Sequence, residues 1–227
     1  MPKINKITLQ LNEQPSSGYN MKLVMAFSCL LWAVRITLSY SWNLKKNQEQ
    51  QTAILLYAAR SLFQQIEITR EWNASHGGIY APVSEATVPN PYLKSPLRDI
   101  RVNPTLELTK INPAFMTRQI SEVAQKHNNI QFHITSLNPI RPQNVATERE
   151  KAALLLFEQG QAREVGQVVE TGSSRAFFYM APLITGKSCL QCHQDQGYKE
   201  GDVRGGISVT LPYTPLFFSV QIGRAHV

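Results

Sequence analysis

The feature that most constrains this chain is an uninterrupted apolar run close to its first residue. Residues 21–42 read MKLVMAFSCLLWAVRITLSYSW, and Arg35 is the only charge in the interior of the run. A helix of about 20 predominantly apolar residues is long enough to cross the hydrocarbon core of a bilayer. Arg35 lies close enough to the end of the run to extend its guanidinium toward the interface. The run therefore predicts a transmembrane anchor.

Cleaved N-terminal signals share this apolar character. A secretory signal peptide ends in a small-x-small cleavage site, whereas residues 23–34 are followed by Arg35 and Ile36. A lipoprotein signal ending at Cys29 would carry a small residue where Phe27 stands. We therefore expect an uncleaved anchor at 21–42 after a flexible polar tail at 1–20, with a cleaved signal peptide as the alternative.

The remainder of the chain has the composition of a folded domain. A length of 227 residues leaves room for one ordinary domain beyond the anchor. The formal net charge is +7, but the lysines and arginines are scattered rather than clustered with aromatic residues on a repeating face. We therefore expect no nucleic-acid partner, and a basic surface that faces solvent or anionic lipid.

Hydrophobic periodicity predicts an α+β fold. A long helix is expected at 48–72, where it can continue directly from the anchor, and Asn112 followed by Pro113 predicts the start of a second helix. A third helix is expected near 147–159, and strands at 130–136, 176–183 and 206–211. The stretch 73–112 is rich in proline and is expected to be irregular. Helices packed on an antiparallel sheet give an α+β domain.

A short motif near the end of this domain carries chemistry. Cys189 and Cys192 are three residues apart and His193 follows directly, which is the CxxCH pattern of c-type haem attachment. Two thiols at this spacing can add to the two vinyl groups on one porphyrin edge, and the next residue then puts an imidazole under the iron. The motif predicts one covalently attached haem c, with His193 as an iron ligand.

The same three residues have two other interpretations. A structural zinc site would need a fourth ligand from elsewhere, because no second ligand pair at zinc-finger spacing exists in the sequence. A thioredoxin-like redox pair would need a preceding strand and a helix starting at the first cysteine, which the residues before Cys189 do not exclude. Haem attachment is the favoured interpretation.

The second axial position of the iron has several candidates. His76 lies in a glycine- and proline-rich stretch that can fold over a porphyrin, and Met180 precedes the motif on a predicted strand, where its thioether would raise the reduction potential. An open or water-filled position is a third option. His133, which lies on the more polar face of a predicted strand, is a weaker candidate, as are His127 and Met116.

Several blocks of sequence together resemble a known family. They are ITREWNASHGGIYAPV, LTKINPAFMTRQISE, FHITSLNPIRPQN and FFYMAPLITGKSCLQCHQDQGYKEGDVRGGISVT, and they span roughly residues 52–212. They resemble extracytoplasmic c-type haem sensor modules with a PAS-like fold, formerly a family of unknown function and often fused to histidine kinases or diguanylate cyclases. The family can place a helix-borne thiolate opposite the proximal histidine, and here the only spare thiol is Cys29 in the anchor.

The resemblance implies a PAS-like sensor domain over 47–212 that detects redox state or a diatomic gas. Because no convergent acid–base pair is identifiable near the motif, we expect no enzyme activity for the residues present. A membrane-tethered electron-transfer cytochrome is the alternative. Covalent haem attachment takes place on the outer side of bacterial membranes, so we expect a single-pass protein of the inner membrane with its haem domain in the periplasm. The lipid bilayer is then a partner of the anchor, and the helix after the anchor is a candidate homodimer interface.

The end of the chain is interpreted separately. Residues 213–221 are apolar enough to begin a second membrane helix, and 222–227 resemble a translated sequencing artefact. We therefore expect a truncated receptor, with any output domain lost.

Overall fold

A computed structural model describes residues 20–172 and 174–213 of the chain. It divides the chain at residue 47 into two compact units. Helix α1 (Met21–Ser75) starts in the first unit and ends in the second. The predicted tail, apart from Asn20, and the two C-terminal segments, apart from Tyr213, lie outside the described residues.

The first unit consists, in its described part, of the apolar half of α1. An 18-residue window of this helix has a mean hydropathy of 1.7, and none of the window is buried. By length and composition it is the one described helix that is able to cross a membrane. The predicted helices at 21–42 and 48–72 are therefore both confirmed as helix, and both belong to α1.

The second unit is an α+β domain, as predicted, and it contains two antiparallel sheets. Strands β1 (Ile79–Pro82), β2 (Asp99–Asn103) and β3 (Leu106–Ile111) form the smaller sheet in the order β1-β3-β2. The larger sheet has the order β4-β7-β6-β5, with β4 (Gln131–Thr135), β5 (Val165–Thr171), β6 (Ser174–Ile184) and β7 (Val203–Pro212). The other helices are α2 (Pro113–Asn128), α3 (Glu148–Glu158) and α4 (Lys187–His193), with 3₁₀ turns at Pro142–Asn144 and Gln194–Gln196.

The larger sheet buries apolar side chains on both faces. Alternate residues of β6, including Phe177 and Tyr179, pack with Ala59 and Phe63 of α1. The intervening residues, including Met180, pack with Ala153, Leu154 and Phe157 of α3. Because successive side chains of a strand point to opposite faces, this alternation sandwiches the sheet between two helices.

Polar contacts fix the end of α1 against the domain. Arg60 forms an ion pair with Glu164, which also accepts a hydrogen bond of 2.9 Å from the hydroxyl of Tyr179. Two residues before the helix ends, buried Asn73 donates its side-chain amide to the carbonyl of Ile111 at 3.1 Å. The end of α1 is thereby attached to both sheets.

The predicted start of α2 is confirmed by its cap. The side chain of Asn112 accepts a hydrogen bond of 3.0 Å from the backbone of Phe115, and Pro113 fills the first turn, where no N–H is needed. At the start of α3, Thr147 and Glu150 form a reciprocal capping box. Both helices therefore begin at residues whose side chains satisfy free backbone groups.

The expectation of an irregular segment at 73–112 is wrong, because this segment supplies all three strands of the smaller sheet. The two outer strands, β1 and β2, are short and have no buried residue, so they carry little apolar alternation. Strand β5 was also not expected. It contains Gly166, whose lack of a side chain accommodates Leu56 of α1, since a Cβ there would lie 2.9 Å from Leu56 Cδ1. Glycine inside a strand weakens the sequence signal for that strand.

Candidate functional site

Helix α4 carries the CxxCH motif between strands β6 and β7. It begins after Gly186, two residues beyond the end of β6, and ends at His193. Cys189 and Cys192 are separated by one helical turn and so lie on one side of the helix. Both are free thiols, and Cys192 is exposed while Cys189 is half-buried. The helix therefore presents two thiols and an imidazole within two turns.

The hydrogen bonds of His193 define its tautomer. Its Nε2 lies 3.0 Å from Nη1 of Arg204, and its Nδ1 lies 2.5 Å from Oε1 of Gln196. A guanidinium has donors only, so Nε2 must accept and Nδ1 must carry the proton. Burial, and then the charge of Arg204, hold the pKa of His193 below its ordinary value. The imidazole is therefore neutral, with its lone pair on Nε2.

The loop between α4 and β7 brings Gln196 to this histidine, and the start of β7 brings Arg204. Thr185 and the loop exchange backbone hydrogen bonds of 2.9 Å, from Gly201 N to Thr185 O and from Thr185 N to Asp202 O. Gly201 has a φ of +95°, a conformation that glycine adopts without strain. The side chain of Gln196 also donates to the carbonyl of Asn138 at 2.9 Å. The loop is thus closed on the end of β6, and both partners of His193 are fixed.

Two glycines at the start of β7 allow strands to approach closely. A Cβ on Gly205 would lie 2.3 Å from the carbonyl oxygen of Thr135, and one on Gly206 would lie 2.6 Å from Cε of Met180. These glycines therefore have a packing role against the neighbouring strands β4 and β6.

A pair of arginines lies beside the motif. Arg70 donates from Nη1 to the carbonyl of Pro113 and the hydroxyl of Thr117, both at 3.0 Å. Burial, and then the charge of Arg204, lower the pKa of Arg70 to about 9, while Cys189 acts in the opposite direction. The Nε of Arg204 is buried and has no hydrogen-bond partner within the described part of the chain. Two guanidiniums therefore lie near Cys189.

A cavity of about 250 Å³ opens next to α4. Cys192, His193 and Arg204 form one side of it, and residues of α2 and of the segment after β4 form the others. The cavity is below the roughly 300–1,000 Å³ of pockets that enclose drug-sized ligands. It can take part of a large ligand or the whole of a small one.

The residues of the motif fit a covalently bound haem. Two thiols on one side of a helix match two vinyl groups, and the neutral imidazole offers the Nε2 lone pair that an iron requires. The hydrogen bond from Nδ1 to Gln196 is the outer contact that usually orients a ligating histidine. The buried Nε of Arg204 is a donor near the same helix that an anionic substituent can satisfy.

The two other interpretations of the motif receive less support. Among the described residues, no group of three or more His, Cys, Asp or Glu side chains is placed to hold a metal ion. A redox pair of the thioredoxin type needs a helix that starts at its first cysteine, whereas α4 starts at Lys187, two residues before Cys189.

His76 follows the end of α1 and is exposed. Its Nδ1 lies 2.7 Å from the carbonyl oxygen of Trp72, and its ring lies 4.6 Å from the Trp72 ring. Because a carbonyl only accepts, this Nδ1 carries the proton and Nε2 has the lone pair. A Cβ on the nearby Gly78 would lie 3.1 Å from Cγ of Lys110, whose charge acts on the Cys192 thiol. The turn after His76 therefore packs on Lys110, whose charge also acts at α4.

Met180 lies in the apolar core between β6 and α3 with no exposed surface. It is not among the described residues that line the cavity beside His193. His133, on β4, forms an ion pair of 2.9 Å with Glu150 of α3. Neither residue is brought next to His193 by the contacts of the described chain.

Arg70, Lys110 and Gln196 were not predicted as site residues. Each lies in a block that resembles the haem sensor family, but none has a spacing of its own that indicates a role. Their proximity to the motif is visible only in the folded chain, where α1, β3 and α4 come together.

Comparisons with known proteins match this chain to a protein family and to solved structures. A family model described as Tll0287-like (Tll0287) matches residues 48–212. A solved structure described as "Crystal structure of the cyanobacterial heme-protein Tll0287" is 20% identical, with a TM-score of 0.47, and the match covers 70% of this chain and 96% of that chain. No curated protein matches this chain.

Proposed function

Because this chain belongs to the Tll0287-like family, we propose that residues 48–212 are a haem-binding domain in which Cys189 and Cys192 carry one haem c. The observation that carries this proposal is the state of His193, the residue that completes the motif. Its ring is neutral, and its Nδ1–H is donated to Gln196. Nε2 therefore has the lone pair with which His193 ligates the iron.

Each residue of the site has a distinct task in this proposal. The two cysteines form thioethers, and Gln196 holds the orientation of the His193 ring. Arg204, now 3.0 Å from Nε2, gives up this contact so that the nitrogen can bind iron. A bound haem supplies an iron that changes oxidation state and, with an open or displaceable position, binds diatomic gases.

For the sixth position we propose His76 ahead of Met180. The lone pair of His76 is on Nε2, and its ring is exposed, so it can turn toward a ligand without unfolding the core. Lys110 packs against the turn that follows His76, and its charge acts on the Cys192 thiol. Met180 would have to leave an apolar cluster in which it has no exposed surface.

We further propose that the domain is a membrane-anchored, PAS-like sensor with its haem on the periplasmic side. The support is the course of α1, which contains the apolar run and ends with Arg70 beside Cys189 and with the residues that precede His76. A change of iron ligation at His76 would alter contacts at the end of this helix. A membrane-tethered electron-transfer cytochrome is the alternative, and it needs a haem that keeps both axial ligands.

Haem attachment is tested by expressing the full chain in a host that matures c-type cytochromes. We expect the wild type and the control Cys29→Ala to retain haem on a denaturing gel, and the double variant Cys189→Ala/Cys192→Ala to lose it. If the double variant keeps its haem band, the proposed attachment is wrong.

Sensor and carrier are distinguished by spectroscopy of the reduced protein. For a sensor we expect carbon monoxide or nitric oxide to change the optical spectrum of the ferrous haem, or the axial ligands to differ between ferric and ferrous forms. A haem that is six-coordinate in both states and does not respond to either gas would favour the electron carrier. Extraction of membranes with alkaline carbonate tests the anchor, since an integral protein stays in the pellet.

A further inference from the structure

The cavity beside α4 has a strongly cationic lining. Its basic side chains are Lys94, Arg118, Arg141 and Arg204, and Asp195 is the only acidic residue among the described residues that line it. Four positive charges against one negative charge leave a local excess of three. Positive side chains around a confined space attract anions and raise their local concentration.

Arg118 and Arg141 both line the cavity and have little compensation from acidic residues among the described side chains. The Arg118 guanidinium lies 4.3 Å from the centre of the Phe115 ring, and its ion pair with the largely exposed Glu122 is long, at 3.9 Å. Nη1 of Arg141 donates to the side-chain oxygen of Asn144 at 3.2 Å. Burial, and then the charge of Arg141, lower the pKa of Arg118. An anion between these two arginines would relieve their repulsion.

The other walls of the cavity restrict the kind of anion. Leu93, Phe115 and Ile134 are buried and apolar, whereas Asn112 and Asn138 add polar groups. At about 250 Å³ the cavity suits a small group with an apolar body and a charged end. An arginine guanidinium binds a carboxylate through two parallel hydrogen bonds, so a planar carboxylate is the charged end that matches these arginines.

We infer that the cavity binds a carboxylate through Arg118 and Arg141. Two sources have this chemistry: a propionate of a haem attached at Cys192, or a free small carboxylate such as succinate. The first source rests on the proposed function, whereas the second does not. Since Cys192 and His193 form one side of the cavity, either occupant would contact the haem site.

The test compares the full-length site variant Arg118→Gln/Arg141→Gln with a control of equal charge. The control is Arg101→Gln/Lys151→Gln, two exposed positions that do not line the cavity. Each variant is prepared with haem and, on the Cys189→Ala/Cys192→Ala background, without covalent haem. The two measurements are the reduction potential as a function of pH and the affinity for succinate by titration calorimetry.

If a propionate occupies the cavity, removing the two arginines makes it easier to protonate. We then expect the pH at which the reduction potential changes slope to rise by about one unit in the site variant, which is a tenfold change in proton affinity. The control should show no such rise. A free carboxylate predicts at least tenfold weaker succinate binding in the site variant, with or without haem. If both measurements equal the control, the inference is wrong. If the site variant does not fold, Arg118→Lys/Arg141→Lys takes its place, because it keeps the charges and loses the paired hydrogen bonds. It is compared with the control in the same two measurements.

These outcomes are separable from failure of the proposed function. A denaturing gel shows whether haem is attached to each variant before either measurement. Absence of attached haem contradicts the proposed function and leaves the succinate comparison to decide the inference.

Discussion

Nη1 of Arg204 lies 3.0 Å from Nε2 of His193 and fixes the proton of the ring on Nδ1. The same nitrogen is the one that we propose as the iron ligand. Arg204 thus holds His193 in the tautomer that ligation requires, since a guanidinium can only donate to it. Gln196 completes this arrangement by accepting the Nδ1–H.

The bond from Nδ1 of His193 to Gln196 predicts how the reduction potential can be tuned. In Gln196→Glu the carboxylate would accept the same proton more strongly, which makes the imidazole a better donor to the iron and stabilises the ferric state. We expect the potential to fall in Gln196→Glu and to rise in Gln196→Leu, as measured by a redox titration.

The control for this change is Gln194→Glu, which adds the same charge two residues away on an exposed side chain. A fall in potential of equal size in both variants would show that charge alone, and not the bond to His193, is responsible.

Close packing at Gly205 predicts a loss of stability on substitution. The nearest atom to an added Cβ is the backbone oxygen of Thr135 at 2.3 Å, and backbone in a paired strand cannot move aside cheaply. We expect Gly205→Ala to lower the free energy of unfolding by about 1–3 kcal/mol or more, as is usual for overpacking. Urea unfolding of the full chain in detergent measures this change.

Gly186 provides the matched control, because a Cβ there would meet no atom within 4 Å. Gly186 is the N-cap of α4, where alanine is less favourable than glycine, so we expect Gly186→Ala to cost no more than about 1 kcal/mol. Equal losses for the two variants would contradict the packing argument.

The ion pair of His133 and Glu150 predicts a pH dependence of stability. Both ring nitrogens of His133 face acceptors, with Nδ1 2.9 Å from Glu150 and Nε2 3.3 Å from the carbonyl of Gln143. The hydrogen bond to Glu150 is the main cause that raises the pKa of His133 above 6.5. Burial opposes ionisation of Glu150, but hydrogen bonds from His133, Ser208 and Thr147 outweigh it and hold the Glu150 pKa below 4.5.

The two shifts have opposite consequences. A raised histidine pKa contributes stability that is complete below about 6.5 and is lost as the pH rises through the folded-state pKa. A lowered carboxyl pKa contributes stability that is present above about 4.5 and is lost as the pH falls through the folded-state pKa. The pair therefore contributes fully between these limits.

We expect thermal melts of the wild type to show a fall in stability as the pH rises above about 6.5, and we expect this fall to be reduced in His133→Gln. His127→Gln, at an exposed position near the end of α2, should keep the wild-type profile. A His133→Gln profile that is parallel to the wild type would mean that this pair does not titrate as inferred.

The elements that sequence predicted correctly have local signals. The caps at Asn112 and Thr147 begin helices because their side chains bond neighbouring backbone groups, and β4, β6 and β7 have apolar alternation. The smaller sheet had no such signal. Strand β2, with Arg101 and Asn103 among its exposed residues, is held by pairing with β3 rather than by burial.

The candidate site was likewise predictable only where the sequence carries a local motif. The family resemblance stated from the sequence blocks is confirmed, and the motif at Cys189, Cys192 and His193 lies on one helix, as its spacing requires. The surrounding arginines could not be predicted, because Arg70 and Arg204 are 134 positions apart and meet only through the fold. Contacts of this kind depend on the packing of α1 and β7 and leave no local pattern.

Because Met180 is buried and His76 is exposed, we predict that substitution of His76, and not of Met180, changes the ligation of the iron. Met180→Leu conserves volume in an apolar cluster, so we expect it to cost less than about 1.5 kcal/mol and to leave the ferric optical spectrum unchanged. His76→Ala removes the exposed imidazole whose lone pair is on Nε2, and we expect it to change that spectrum. The opposite result would make Met180 the sixth ligand, and it would require β6 to shift, since its register with β7 places Met180 opposite Ser208 on the α3 side of the sheet. An unchanged spectrum in both variants would leave the sixth position to solvent or to a gas, which is the arrangement expected of a gas sensor with one protein ligand.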